Sequence, residues 1–489
     1  FPEGSTQIDN AEFKQYSKSF TEDRFLSVYM TGSYTYNNRY TFFGSLRYDG
    51  SNMFGVDRKY KYLPLWAVSG AWNINREAFL SDADWLSDLK LRASYGVQGN
   101  VDKDTSPLVV GEWDNTQVLP DNSESNIIVS SPPNQYLRWE KTTNWNGGLD
   151  VAVLGNRIAF TADVYRRVSD DLIGMRSLPG ENGFDYSTMN WAKLTNRGYE
   201  LSLSTVNVKT KDFRWVMDFN LAHNKSKINR LNVRDNSYEP SREGYSVGAV
   251  FSLKTAGLDE NGLQMFYNKQ GEKVSFNDFF GLEYGYMMGG LIPFLKSNLS
   301  AEEYRNLFTY EGTTEPKFTG GWINRFYYKN FDLTVSASFV LDQTVQEQPF
   351  YNPVQTSPGQ NYSRRMSQIW SPDNTSGKYP RIMGTYTEGE ENWAYQWLGM
   401  LDLGNSYRKY DYWFKKMSYM RINSIRLGYT FPERLLGHIG FSSARISFEA
   451  RNPFVFGSSY KGYFDPETYG NIYTQPLAKT FSCGIDLTF

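Results

Sequence analysis

Cysteine and histidine are almost missing from this sequence. Cys483 is the only thiol among 489 residues, and His223 and His438 are the only imidazoles. A single cysteine excludes an intrachain disulfide and a thiolate metal cluster. No HExxH, CxxC or Walker A pattern occurs, so no enzyme is expected, nor any cofactor or metal. Charge of one sign is missing too. The 51 basic and 53 acidic residues leave a net charge of −2, without the basic excess of a nucleic-acid binder. No apolar run approaches the roughly 18 residues of a membrane helix, and the mean hydropathy is −0.56. A membrane barrel is not excluded, because its strands meet lipid only at every second residue. The chain opens at Phe1 with neither an initiator methionine nor a signal peptide, so processing or an upstream segment is expected.

What the sequence has in excess is aromatic residues: 36 Tyr, 33 Phe and 13 Trp, or 17% of the chain. Transmembrane barrels use such an excess for the girdles at both membrane interfaces. A period of two is clearest at the end, where Phe481, Cys483, Ile485, Leu487 and Phe489 alternate with Ser482, Gly484, Asp486 and Thr488. The same alternation runs through 331 to 341, 444 to 451, 89 to 97, 158 to 164 and 215 to 221, and less cleanly near 25 to 36, 40 to 48, 65 to 75, 142 to 153, 194 to 205, 318 to 328 and 419 to 431. This predicts about thirteen strands of roughly ten residues, the length that crosses a bilayer when tilted. No long helix is expected.

Connections alternate in length. Asn37-Asn38, Leu154-Gly155-Asn156 and Lys329-Asn330 read as tight turns, whereas 49 to 63, 99 to 140, 168 to 192, 225 to 315, 342 to 416 and 455 to 478 read as long polar stretches. Short periplasmic turns opposite long extracellular loops are the outer-membrane pattern, and the segments 99 to 140, 225 to 315 and 342 to 416 are expected outside. A soluble β-sandwich shares the period of two. Strand length, loop asymmetry and aromatic excess favour the barrel.

Several segments carry a resemblance. They include Ser45-Leu46-Arg47-Tyr48-Asp49-Gly50-Ser51, Leu89-Lys90-Leu91-Arg92-Ala93-Ser94-Tyr95-Gly96, Trp139-Glu140-Lys141-Thr142 and Asn196-Arg197-Gly198-Tyr199-Glu200-Leu201. Further on come Pro316-Lys317-Phe318-Thr319-Gly320-Gly321, Tyr328-Lys329-Asn330-Phe331-Asp332-Leu333, Arg421-Ile422-Asn423 and Ala450-Arg451-Asn452-Pro453. In order and spacing the chain resembles the C-terminal part of the SusC/RagA-type TonB-dependent transporters. The resemblance implies an all-β antiparallel barrel of about 22 strands, with about thirteen in this chain and the plug domain outside it. It also implies active import across the outer membrane, with a SusD-like surface lipoprotein as lid, TonB as energy source through the missing N-terminal part, and an oligosaccharide or peptide as substrate. A surface receptor, structural or secretion-complex barrel without uptake is the alternative. The closing Leu487-Thr488-Phe489 is similar to the terminal signal of barrel assembly, which gives Phe489 that role.

Two groups of candidate site residues follow. The polar strand faces place Arg47, Lys90, Arg92, Asp150, Asp163, Asp218, Arg426, Arg445, Glu449 and Arg451 toward a lumen, where ion pairs or substrate contacts are both open. In the stretch 342 to 416, Trp393, Tyr395, Trp397 and Tyr407 are candidates for stacking on sugar rings, with packing against a lid protein as the alternative. Tyr412 and Trp413 could belong to the upper girdle. The turn Asp259-Glu260-Asn261-Gly262 stands where relatives can carry a calcium-like loop, but Lys269 and Gln270 replace carboxylates, so an ordinary polar turn is expected.

Overall fold

A computed structural model describes residues 22–52, 62–103, 110–119, 122–184, 186–233, 237–287, 292–384, 389–401, 405–436, 440–457, 465–468 and 474–489. The strands of the first half are β1 (Phe25–Tyr36), β2 (Tyr40–Ser51), β3 (Tyr62–Asn73), β4 (Leu86–Asn100), β5 (Val110–Leu119), β6 (Asn122–Ser131), β7 (Glu140–Val153), β8 (Ile158–Ser177), β9 (Tyr186–Lys209) and β10 (Phe213–Arg230). The second half holds β11 (Ala249–Ser252), β12 (Thr255–Leu258), β13 (Gln264–Tyr267), β14 (Lys273–Val274), β15 (Leu282–Met287), β16 (Ile292–Ser297), β17 (Thr309–Thr313), β18 (Phe318–Tyr328), β19 (Phe331–Gln346), β20 (Phe414–Thr430), β21 (Ser443–Gly457) and β22 (Thr480–Thr488).

Thirteen of them form one sheet in the order β1-β2-β3-β4-β7-β8-β9-β10-β18-β19-β20-β21-β22, antiparallel throughout. All thirteen strands expected from the alternation are present. Each pairs with the next strand of the sheet along the chain, across short turns and long insertions alike. Directly paired residues share a face, so the registers can be followed across the wall. Leu46 pairs Trp66, Val68 pairs Tyr95, Tyr95 pairs Trp145, and at the far edge Phe448 pairs Cys483 and Ile446 pairs Ile485. These residues make one apolar face. Its side chains are exposed also on strands inside the sheet, at Val68 (51%) and Trp145 (48%), a broad apolar surface that lipid accepts. The opposite face is polar.

Backbone chemistry sets the tight ends. Asn37 and Asn38 both adopt positive φ, 48° and 55°, and the Arg39 amide donates to the Tyr36 carbonyl at 2.9 Å, a left-handed turn within a three-residue connection after which Tyr36 pairs Tyr40. Leu154, Gly155 and Asn156 turn with φ of 57°, 63° and 63°. At the same end the connection after β3 buries Glu77, whose carboxylate accepts from Tyr40 Oη at 2.5 Å, Trp72 Nε1 at 3.0 Å and Arg39 Nη1 at 3.1 Å. The hydrogen bonds from Tyr40, then Trp72, hold its carboxyl below the ordinary range. A carboxyl with a lowered pKa stabilises the fold above the unfolded value of about 4.3 and stops doing so as pH falls through its folded value. Glu77→Gln should therefore lower the urea midpoint at pH 7, and the gap to the parent should close in acid; a gap that persists unchanged at acid pH contradicts the clasp.

The other end of the sheet differs from the sequence expectation. β8 and β9 run on to Ser177 and back from Tyr186, so most of 168 to 192 is strand rather than loop. The stretch 99 to 140 contains the β5–β6 hairpin. The stretches 225 to 315 and 342 to 416 begin or end in strand, at β10, β19 and β20, and between these they fold on each other into a cap.

The cap holds the largest cluster of buried apolar residues. Leu253, Phe266, Phe279, Phe280, Tyr304, Trp397, Tyr410 and Trp413 belong to it, and the two stretches also share backbone bonds, Leu253 amide to Lys409 carbonyl at 2.8 Å and Asp411 amide to Leu253 carbonyl at 3.1 Å. Helix Phe276–Phe280 is only five residues long. Ser275 caps its start, accepting from the Asp278 amide, and Gly281 ends it in the left-handed conformation at φ 56°. The helix places Phe276, Phe279 and Phe280 in the core, and Phe266 stacks on Phe279 at 4.2 Å.

Candidate functional site

The polar face of the wall gathers every lumen candidate. Register takes Arg47 with Ser27 and Asp49 along the first strands, Lys90 opposite Asp150, and Arg92 through Gly148 to Asp163. It then passes from Ser204 to Asp218, and from Arg426 to Glu449, with Arg451 and Arg445 on the same side. Charges so placed pair across strands. Arg92 reaches Asp150 at 2.7 Å and Asp163 at 3.1 Å, Asp218 takes Ser204 Oγ at 2.7 Å and Arg325, and Arg445 meets Asp332 at 2.6 Å, whereas Arg451 meets Glu449 at 3.1 Å within β21. Arg47 holds Asp49 at 2.6 Å, whereas Arg426 is exposed.

Gly148 makes the Arg92 bridge possible. It lies between Arg92 and Asp163, and a Cβ there would stand 2.7 Å from both the guanidinium carbon and the Asp163 carboxylate. Gly148→Val should push the guanidinium off its two carboxylates and cost about 1–3 kcal/mol, read as a lower urea midpoint of the purified barrel; an unchanged midpoint contradicts the bridge.

Arg325 and Asp332 complete pairs whose other halves the sequence singles out. Arg421 was legible only as part of a family motif, yet it is the most deeply buried charge of the wall, 3% exposed, bonded to buried Asp465 and, at 2.7 Å, to Glu467. These carboxylates tie segment 465–468 to the polar face of β20.

The aromatic candidates turn inward. Trp397 is buried against Phe280, with ring centroids 5.5 Å apart, and Tyr407 is buried edge-on to Tyr351 and Trp413, each at 5.8 Å. Trp393 is half-buried edge-on to Tyr284 at 4.9 Å, and Tyr395 packs on the same core. Trp413 and Tyr412 are core residues of the cap, not girdle residues, because β20 begins only at Phe414. Burial drives the Tyr407 and Tyr412 hydroxyls well above their usual range. Glu347 gathers Arg365 and Lys415 beneath this core, with the Arg365 guanidinium 4.4 Å from the Phe350 ring. Asp259 accepts the amides of Asn261 at 2.9 Å and Leu263 at 2.7 Å, a self-contained turn.

Aromatic side chains mark the tight-turn end of the apolar face. Trp215 stacks on Phe326 at 5.7 Å, Phe331 meets Tyr429 at 4.6 Å, and Phe489 lies 5.0 Å from Phe441. His438 lies outside the described residues.

A wall with one lipid-compatible face, one charged face and an aromatic rim defines a transmembrane β-barrel of the outer membrane. Residues 2–279 match the model of the family described as TonB dependent receptor-like, beta-barrel, and the chain belongs to that family, one of receptors and transporters rather than enzymes. Among relatives, TonB-dependent receptor P3 of Formosa agariphila is 28% identical over 97% of this chain and 46% of its own length. TonB-dependent receptor SusC of Bacteroides thetaiotaomicron is 28% identical over 98% of this chain and 45% of its own. The chain thus spans about half the length of the curated relatives it matches. The RagAB peptide transporter superposes with a TM-score of 0.71 at 22% identity, over 99% of this chain and 50% of that one, a likeness of fold.

Proposed function

We propose that this barrel imports nutrient oligomers, glycan or peptide, across the outer membrane. TonB energises it through a plug-bearing segment, and a SusD-like surface lipoprotein closes over its mouth. The observation that carries this reading is the continuous charged face on a wall whose other face suits lipid, since a solvated, ion-paired lumen is what a gated path requires. The likeness in fold to RagAB, a peptide transporter, supports the peptide arm; the likeness to SusC supports a shared partner type.

The sheet's edges, β1 and β22, carry backbone groups that hydrocarbon cannot satisfy, at several kcal/mol each. About nine further strands would close the barrel to the size of plugged outer-membrane transporters. The cap and the β5–β6 hairpin then stand on the extracellular side, with the turns at 37–38, 154–156 and 329–330 in the periplasm. Of the four aromatic candidates, Trp393 and Tyr395, at the edge of the cap core, are the ones left to meet substrate or lid.

The test is uptake by intact cells. Fluorescent oligopeptides and oligosaccharides should enter cells carrying the gene, and entry should stop in a deletion strain and on collapse of the proton gradient. Equal entry in the deletion strain contradicts import, and entry that survives uncoupling contradicts TonB coupling. Protease added outside should cut the cap and spare the turns.

A further inference from the structure

The outer face of the wall carries three cations side by side. Register places Arg166 of β8 opposite Arg197 of β9, and Arg197 opposite Lys225 of β10. With strands about 4.8 Å apart, the three lie within roughly 10 Å. Like charges directly opposite destabilise a sheet, and all three are exposed, as is Lys227 one step further along the same face. Among the described residues none of the four forms an ion pair.

Their height on the wall is informative. Two residues nearer the tight-turn end, on the same face, come Val164, Tyr199 and His223, with Tyr199 and His223 rings 5.2 Å apart and Phe318 another 5.2 Å from His223. Below these lie Ala162, Leu201 and Leu221, all apolar. The cations therefore stand just above this second row of rings, toward the end of the lipid-facing side opposite the tight turns, at the level of headgroups. They also border a cavity of about 1090 Å³ that opens where β10 and β18 part, after the Ala222–Thr319 pair. Two of the carboxylates there are already engaged, Glu311 by Lys254 and by Ser252 Oγ at 2.5 Å, and Glu315 by Ser226 Oγ at 2.7 Å.

We propose that Arg166, Arg197 and Lys225, with Lys227, form a binding site for the phosphate groups of an outer-leaflet glycolipid. The acyl chains lie along the apolar rows beneath, and the headgroup enters the cavity. An anion there removes the repulsion that the row otherwise carries, and lipid supplies one at that depth. The site rests on the outer-membrane barrel and not on import, so it stands or falls independently of the uptake assay.

The test uses the full-length protein in detergent, with any bound partner retained, stripped of lipid and followed by native mass spectrometry. The probes are diphosphoryl lipid A, its dephosphorylated form and inorganic phosphate. Diphosphoryl lipid A should bind, and the triple variant R166Q/R197Q/K225Q should bind it roughly a hundredfold more weakly, from roughly fivefold per cation over three cations. K209Q/K211Q, at the opposite end of the wall, should match the parent. Should the triple variant fail to fold, R197Q alone carries the test, with roughly fivefold weaker binding expected. Equal binding by parent and variant overturns the site. Equal binding of the dephosphorylated lipid, or displacement of lipid A by inorganic phosphate at matched concentration, overturns the glycolipid as its ligand.

Discussion

Arg421→Met should detach segment 465–468 from the wall at a cost of about 3–5 kcal/mol, the range for removing one partner of a buried ion pair. Arg421 is 3% exposed and bonds two carboxylates, of which Asp465 is itself 6% exposed. Without the guanidinium, Asp465 must either keep an unpaired charge in a dry site or take up a proton. The variant should show new protease cutting in segment 465–468 and faster amide exchange there, while β20 and β21 stay protected. Adding Asp465→Asn should restore part of the loss, because the uncompensated charge goes with it. Unchanged protection in the single variant would mean that the trio contributes nothing to docking.

Trp413→Ala should unfold the cap and leave the wall intact. The indole is fully buried, stacked on Tyr379 at 5.5 Å and edge-on to Phe350 and Tyr407, each at 5.8 Å. Truncating such a side chain costs about 3–5 kcal/mol through lost burial and the cavity left behind. The cap is built from two insertions that meet through this core and a few backbone bonds, so a loss of that size is a large part of what a small unit has. Hydrogen exchange should rise across 249–313 and 347–413 together, with β18 and β19 unaffected. A rise confined to the immediate neighbours of Trp413 would show that the two stretches do not unfold as one body.

The wall was legible because its strands share one period of two, over seven to eleven residues in the six clearest, and one register slip would have turned every side chain over. Arg92, Asp150, Asp163 and Asp218 could be placed on one face by counting alone. Counting fails at Arg421. From Arg426 the alternation would put Ile422 inside and Arg421 against lipid, but Asn423 is an extra residue between the Ile422–Ala337 and Ser424–Ser336 pairs, and this bulge returns Arg421 to the polar face. Asn452, at φ 50°, marks the matching irregularity in β21. The cap was illegible for another reason. Its strands have two to six residues and its helices five to eight, too short for any period to register. Its apolar residues, scattered between turns, therefore read as a polar loop rich in aromatics. That is why Trp397 and Tyr407 looked available for stacking although they are buried.

The two-faced wall is tested most directly by the chain's own cysteine. Cys483 lies mid-strand in β22 on the apolar face, paired with Phe448, while the adjacent Ser482 pairs with Glu449 on the charged face. A small polar maleimide added to isolated outer membranes should leave Cys483 unmodified until the protein is denatured, and should modify Ser482→Cys in a Cys483→Ala background without denaturation. Labelling of native Cys483 together with protection of Ser482→Cys would invert the faces and contradict a barrel with a charged lumen.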